Sequence, residues 1–200
     1  MSATLRKRVA ALTEEYGGEY SIQHARRLVR LVELIADGVD FDAEAIWLAA
    51  HMHDWGTFPQ WSRGEVNHTQ RSKQLAEEQL RKLKCPTGVM SRVLEAIEYH
   101  HGGADERCIE AVLLRDADAL DGMGSMGVLR EFASIPTETA GCYTLPAGWG
   151  MRGAYERSLM RMENNPRLLR LPKSKELARE KAREMQSILS SLERESFGNL

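Results

Sequence analysis

Apolar residues recur at three- and four-residue spacing through most of the chain, and no series of strands stands out. Residues 3 to 16 read as a short amphipathic helix stopped by Gly17-Gly18. Ser21 is placed to cap the next helix, which carries Ile22, Ala25, Leu28, Val29, Val32 and Ile35 on one side and breaks at Asp37-Gly38. Asp42 or its neighbours start a third helix, apolar through Ile46-Trp47-Leu48-Ala49-Ala50, and the chain then breaks at Gly56 and Pro59. The segment from Gly56 to Val66, with Phe58, Pro59 and Trp61, reads as a short structured loop. Asn67 is placed to cap a helix to about Leu83, and another runs from Gly88 to His100 before Gly102-Gly103.

A helix over 105 to 120 leads into the glycine-rich run Asp121 to Gly127, which suits a turn or close helix contact. After a helix through Phe132, residues 134 to 150 read as an insertion or lid. Two last helices, 151 to 163 and 173 to 195, are separated by Asn164-Asn165-Pro166 and Leu171-Pro172. The final one is expected to bury Leu177, Met185, Ile188 and Leu192. The pattern predicts an all-α fold and one domain over residues 1 to 200.

The 200 residues are enough for a core that folds without staples. A net charge of -2 gives no broadly basic surface, so no stable nucleic-acid partner is expected. Cys85, Cys108 and Cys142 fall in no metal-binding spacing and read as reduced thiols of a cytoplasmic protein. No apolar run approaches the roughly 20 residues needed to cross a bilayer. A helical face could support a homodimer.

The candidate chemistry centres on His53-Asp54, in Ala-Ala-His-Met-His-Asp-Trp-Gly, where an apolar helix ends in an imidazole and a carboxylate. Comparable donors stand elsewhere: His24 early in the preceding helix, His68 at a helix start, His100-His101 at a helix end, and Asp118 inside an apolar helix. A buried carboxylate is costly unless paired or bound to metal, which singles out Asp118. Asp116 lies about 200° around the helix from it, so only one of the two can face a common site. His24, His53, Asp54 and Asp118 form a four-ligand set that leaves positions open for water and substrate. His68 with His100 or His101 suggests a second ion, with Asp54 as a bridge and the two ions about 3.5 to 4 Å apart. His51 shares no face with His53 and reads either as a support behind the ligands or as structural. Arg27, three residues after His24, and Arg71 are candidates to offset phosphate charge, while Asp54 or a nearby histidine could take a proton from water.

These motifs resemble the HD-domain superfamily of metal-dependent phosphohydrolases, whose pattern is a histidine, a histidine-aspartate doublet and a distal aspartate. Here those are His24, His53-Asp54 and Asp118. The stretch Leu120 to Gly127 and the run Tyr155-Glu156-Arg157-Ser158-Leu159 are similar to small stand-alone bacterial members. The resemblance implies an HD-type helical bundle in which the four residues hold one divalent metal: Mn, Mg, Fe, Co, Ni or Zn. His68, His100 and His101 resemble the extra ligands of binuclear members. Gly102-Gly103-Ala104-Asp105 stands where cyclic-dinucleotide phosphodiesterases carry Gly-Tyr-Pro, so that substrate is not carried over. The expected activity is hydrolysis of a phosphate ester in a nucleotide or other small phosphorylated metabolite. Two alternatives are a di-iron oxygenase on the same fold and a nucleotide-binding sensor without turnover.

Overall fold

A computed structural model describes residues 3–102, 107–134 and 150–200, and among these all regular structure is helical. The chain divides into two compact units, residues 1–118 and 119–200. No described helix is long and apolar enough to cross a membrane.

In the first unit α1 spans Ala3–Ile35 but is broken at Gly18, whose φ of 68° and ψ of -174° are open to glycine at little cost. The expected stop at Gly17-Gly18 is therefore a kink between two helical segments. Helical backbone resumes immediately after it, so Ser21 lies inside the helix rather than capping it. Helix α2, Ala43–Met52, is capped by the Asp42 carboxylate, which accepts from the amides of Glu44 and Ala45 at 3.0 Å. Nearly all of α2 is buried, as its continuous apolar run requires, and it packs against α1 and α4.

A 3-10 turn over Trp55–Thr57 follows. Helix α3, His68–Lys82, is capped by the Asn67 side chain as expected, and α4 spans Thr87–Tyr99 with His100 as its C-cap. Helix α5, Ile109–Asp121, begins later than residue 105, and residues 103–106 are outside the described part. Its Leu113, Leu114 and Ala117 are fully buried, with Asp118 on the next position.

The second unit holds α6, Gly124–Ala133, α7, Met151–Leu168, and α8, Pro172–Glu195. The glycine-rich run makes the expected close approach: a β-carbon on Gly127 would collide with the Gly122 backbone. Helix α7 does not stop before Asn164-Asn165-Pro166 but continues through it. Pro166 falls in its last turn and removes one i→i−4 hydrogen bond from the turn before it, and the Asn165 side-chain amide donates to the Ala119 carbonyl at 2.8 Å. Pro172 takes the first turn of α8, where a missing N–H costs nothing. The stripe buried by α8 is Ser174, Ala178, Met185 and Leu189, so of the expected apolar set only Met185 is at its centre and Leu177, Ile188 and Leu192 flank it. The lid expected at 134–150 lies, but for its two end residues, outside the described residues.

Candidate metal centre

The turn after α2 is fixed from two sides before any ligand is considered. The indole of Trp55, fully buried, donates to Thr13 Oγ1 at 3.0 Å, and the Thr13 hydroxyl donates to the His51 carbonyl at 2.9 Å. That chain ties the end of α2 to α1. On the other side, the Gly56 amide donates to Ser72 Oγ at 2.8 Å, which ties the turn to α3. His53 and Asp54 are held between these two anchors, and His68 is carried in on the first turn of α3.

Among the described residues, donor atoms converge in three groups, each within 4.8 Å: His24 with His53 and Asp118, His53 with Asp54 and His100, and His68 with His100 and His101. The groups overlap at His53 and His100. His24 Nε2 lies 3.4 Å from Asp118 Oδ1 and 3.3 Å from His53 Nε2. His53 Nε2 lies 3.3 Å from Asp54 Oδ2, and the ring nitrogens of His68 and His101 lie 2.9 Å apart. Four helices and one turn thus contribute side chains that sequence separates by up to 94 residues, counting from His24 to Asp118 (118 − 24).

Two of the rings are oriented by their own helix ends. His53 Nδ1 lies 3.0 Å from the Ala50 carbonyl and His100 Nδ1 lies 2.6 Å from the Ile97 carbonyl. A carbonyl only accepts, so each Nδ1 carries the donated proton and each Nε2 is the atom left for an ion. His100 Nε2 is sealed from solvent and has no hydrogen-bond partner. An orphaned buried nitrogen beside two carboxylates is what a metal-binding cluster looks like without its ion, and the donor set fits a divalent cation.

The electrostatics treat the two rings differently: the carboxylates favour a proton on His53 that a cation would have to displace, while His100 stays neutral. Burial alone would lower the pKa of His53, but the Asp54 and Asp118 carboxylates outweigh it and raise it to about 9. Burial, with repulsion from His53, pushes His100 down to about 3 and keeps it neutral. Burial and the neighbouring His101 also lower His68. Burial would raise the Asp54 and Asp118 carboxyls, yet His53 at Asp54 and the hydrogen bond from His24 at Asp118 hold both below the ordinary range.

The structure therefore brings together His24, His53, Asp54, His68, His100, His101 and Asp118. Asp116 is fully buried away from these groups, as the helical spacing requires. His51 stands apart, its ring stacked on Trp47 at 3.7 Å. Arg27 is half-buried one turn beyond His24. The Arg71 guanidinium donates to the Trp61 carbonyl at 2.8 Å and approaches Gln74 at 3.4 Å, which engages it in holding the loop after Gly56.

A cavity of about 220 Å³ adjoins His24, His53 and Asp54, and Tyr16, Tyr20, Ser21 and Thr57 in its wall carry no mark of function in the sequence. The one hint is spacing: Tyr20 precedes His24 by four residues, on the same helical face.

The HD domain family profile matches residues 21–123, half of the chain, from before His24 to just beyond Asp118. The chain belongs to the HD-domain family. No match was found among curated proteins. Solved structures share the fold at low identity. Bacillus subtilis YpgQ in complex with ADP is 20% identical, with a TM-score of 0.68 over 95% of this chain and 97% of that one. A Lactobacillus plantarum protein is 15% identical, with a TM-score of 0.70 over 100% of both chains. An HD-superfamily hydrolase from Bacillus thuringiensis is 18% identical, with a TM-score of 0.65 over 95% of each. The HD match rests on the same helices that carry the candidate ligands, and these neighbours are small proteins of similar extent.

Proposed function

We propose that this HD-domain protein is a metal-dependent phosphohydrolase acting on a phosphate ester of a nucleotide or other small phosphorylated metabolite. The observation that carries the reading is the orphaned Nε2 of His100 beside a cluster of histidines and aspartates joined through His53. His24, His53, Asp54 and Asp118 would hold one divalent ion, and His68, His100 and His101 a second. An ion bound there supplies Lewis acidity and lowers the pKa of a bound water. Asp54, at the rim of the cluster and about a third exposed, is the carboxylate able to receive a proton from water entering from solvent. Asp118, held anionic by the neighbouring histidines, would be the second carboxylate offered to the ion. Arg27 would offset charge on the phosphate oxygens. Arg71 is engaged with Trp61, which favours a role in shaping the loop.

That the structurally similar YpgQ was solved with ADP supports a nucleotide as the phosphorylated substrate. The experiment is metal content per chain together with phosphate release from a panel of nucleotides and sugar phosphates across added metals. Metal in the protein, and release lost in Asp54→Ala, is the expected result. Iron with oxygen-dependent turnover and no phosphate release would move the protein to the oxygenase reading, and nucleotide binding without turnover to a sensor.

A further inference from the structure

The cavity next to the candidate metal centre has a wall whose chemistry the ligand cluster does not use. Three polar atoms in it have no hydrogen-bond partner among the described residues: the hydroxyls of Tyr16 and Ser21, and Nε2 of His51. The His51 nitrogen is the most informative. His51 Nδ1 lies 2.7 Å from the Trp47 carbonyl, which only accepts, so the proton is on Nδ1 and Nε2 is a bare acceptor. Stacking on Trp47 fixes the ring, and the residue is only 4% exposed. A ring fixed in this way holds a bare acceptor at the cavity wall, ready for an N–H or O–H donor that enters the cavity.

The rest of the wall is aromatic and braced. The Tyr16 ring packs on Trp61 with centroids 4.3 Å apart, and Phe58 and Trp61 stack at 5.8 Å. Phe58 also presses on Gly17, where a β-carbon would collide with the ring, so α1 approaches this loop only because residue 17 has no side chain. At about 220 Å³ the space is smaller than the roughly 300 Å³ at which drug-sized sites begin, so it has room for one ring system. His24, His53 and Asp54 form part of the same wall, so a group seated here is next to whatever the cluster holds.

We propose that this cavity is the subsite for the alcohol half of the phosphate ester: one ring-sized group bearing N–H or O–H donors, read by Tyr16, Ser21 and His51. The inference rests on the phosphohydrolase reading for the word ester, but the subsite itself is defined by its own wall. A flat ring gains stacking against Tyr16 and Phe58, and its donor meets the fixed acceptor of His51. Ser21 and Tyr16 hydroxyls serve either as donors or acceptors for the ring's remaining polar edge. A nucleobase and a sugar ring both have this chemistry.

The test uses probes without phosphate, so it is independent of turnover. Saturation-transfer NMR titrations of the full chain as purified would use adenosine and cytidine in one arm and D-ribose and D-glucose in the other. The expected result is saturable binding in at least one arm, and the arm that binds identifies the ring as base or sugar. Ser21→Val, which removes the hydroxyl and fills part of the cavity, should weaken that binding at least tenfold. Tyr16→Leu should do the same, and serves if Ser21→Val does not fold. No binding in either arm would overturn the subsite, as would binding unchanged in a folded variant. Phosphate release from the nucleotide panel can fail while this binding stands, and the reverse, so the two readings are separately testable.

Discussion

A β-carbon on Gly56 would collide with the carbonyl oxygen of His68 and come within 2.9 Å of the Ser72 amide nitrogen. The glycine two residues after Asp54 therefore lets the start of α3 lie against the turn that bears the histidine-aspartate pair. Both neighbours are backbone, so neither can swing aside. Gly56→Ala is expected to push α3 outward, with an overpacking cost of about 1–3 kcal/mol. Ions held through His68 should be lost first, because His24, His53 and Asp118 are placed by α1, α2 and α5. Thermal unfolding paired with metal content checks this. A lower melting temperature with unchanged metal content would separate packing from ligand placement.

The orphaned nitrogen of His100 makes a different prediction, about what metal does for stability. An ion that binds only the folded state adds about 2.7 kcal/mol at a concentration of 100 Kd. For a chain of this size that corresponds to a rise of roughly 5–10 °C in melting temperature. His100→Phe keeps a buried ring but removes Nε2, the donor shared by two of the three groups. The variant should melt within a few degrees of the metal-free protein yet lose most of the rise on adding metal. Scanning calorimetry with and without chelator reads both quantities. A full metal-induced rise in the variant would remove His100 from the ligand set.

The ligands were legible because they sit at helix ends, where helical pattern and capping chemistry make position readable. Asn67 before His68 and glycine after His100 mark those ends without any knowledge of packing. The pairing of ligands was less legible. Nothing in sequence spacing says that His53 serves two groups, since that depends on how α1, α4 and α5 converge on the end of α2. Local reasoning also failed at Ser21 and Pro166. At Ser21 the positive φ of Gly18 had already absorbed the break, and at Pro166 the helix continues with one i→i−4 hydrogen bond fewer. The cavity wall was illegible for a plainer reason. Tyr16 and Ser21 look like ordinary amphipathic-helix residues until Phe58 and Trp61 fold back over them.

In the second unit Glu131 is buried and pairs with two arginines of α7, Arg157 at 2.7 Å and Arg161. Both guanidiniums are partly exposed, so the network is worth less than a sealed one. Glu131→Gln leaves the shape but removes the charge that joins α6 to α7. The expected loss is about 1–2 kcal/mol, below the full cost of stranding a buried charge because water can reach both arginines. Chemical denaturation reads it directly. Metal binding by the first unit supplies the control and should keep its stoichiometry.

The Cys108 thiol gives a pH prediction that no metal disturbs. Burial raises its pKa, and with Glu95 and Glu110 nearby it stands at about 11, while Cys85 is raised by burial as well. The thiolate is the nucleophile, so a raised pKa means slower alkylation. At pH 8, three units below 11, the thiolate is roughly a thousandth of the thiol, against about a third for a free cysteine of pKa about 8.5. Alkylation of Cys108 by iodoacetamide should therefore be slow at pH 8 and rise about tenfold for each unit until pH approaches 11. Peptide mapping by mass spectrometry resolves this position from Cys85 and Cys142. A rate that levels off near pH 8.5 would mean that neither burial nor the two glutamates reach the sulfur in solution.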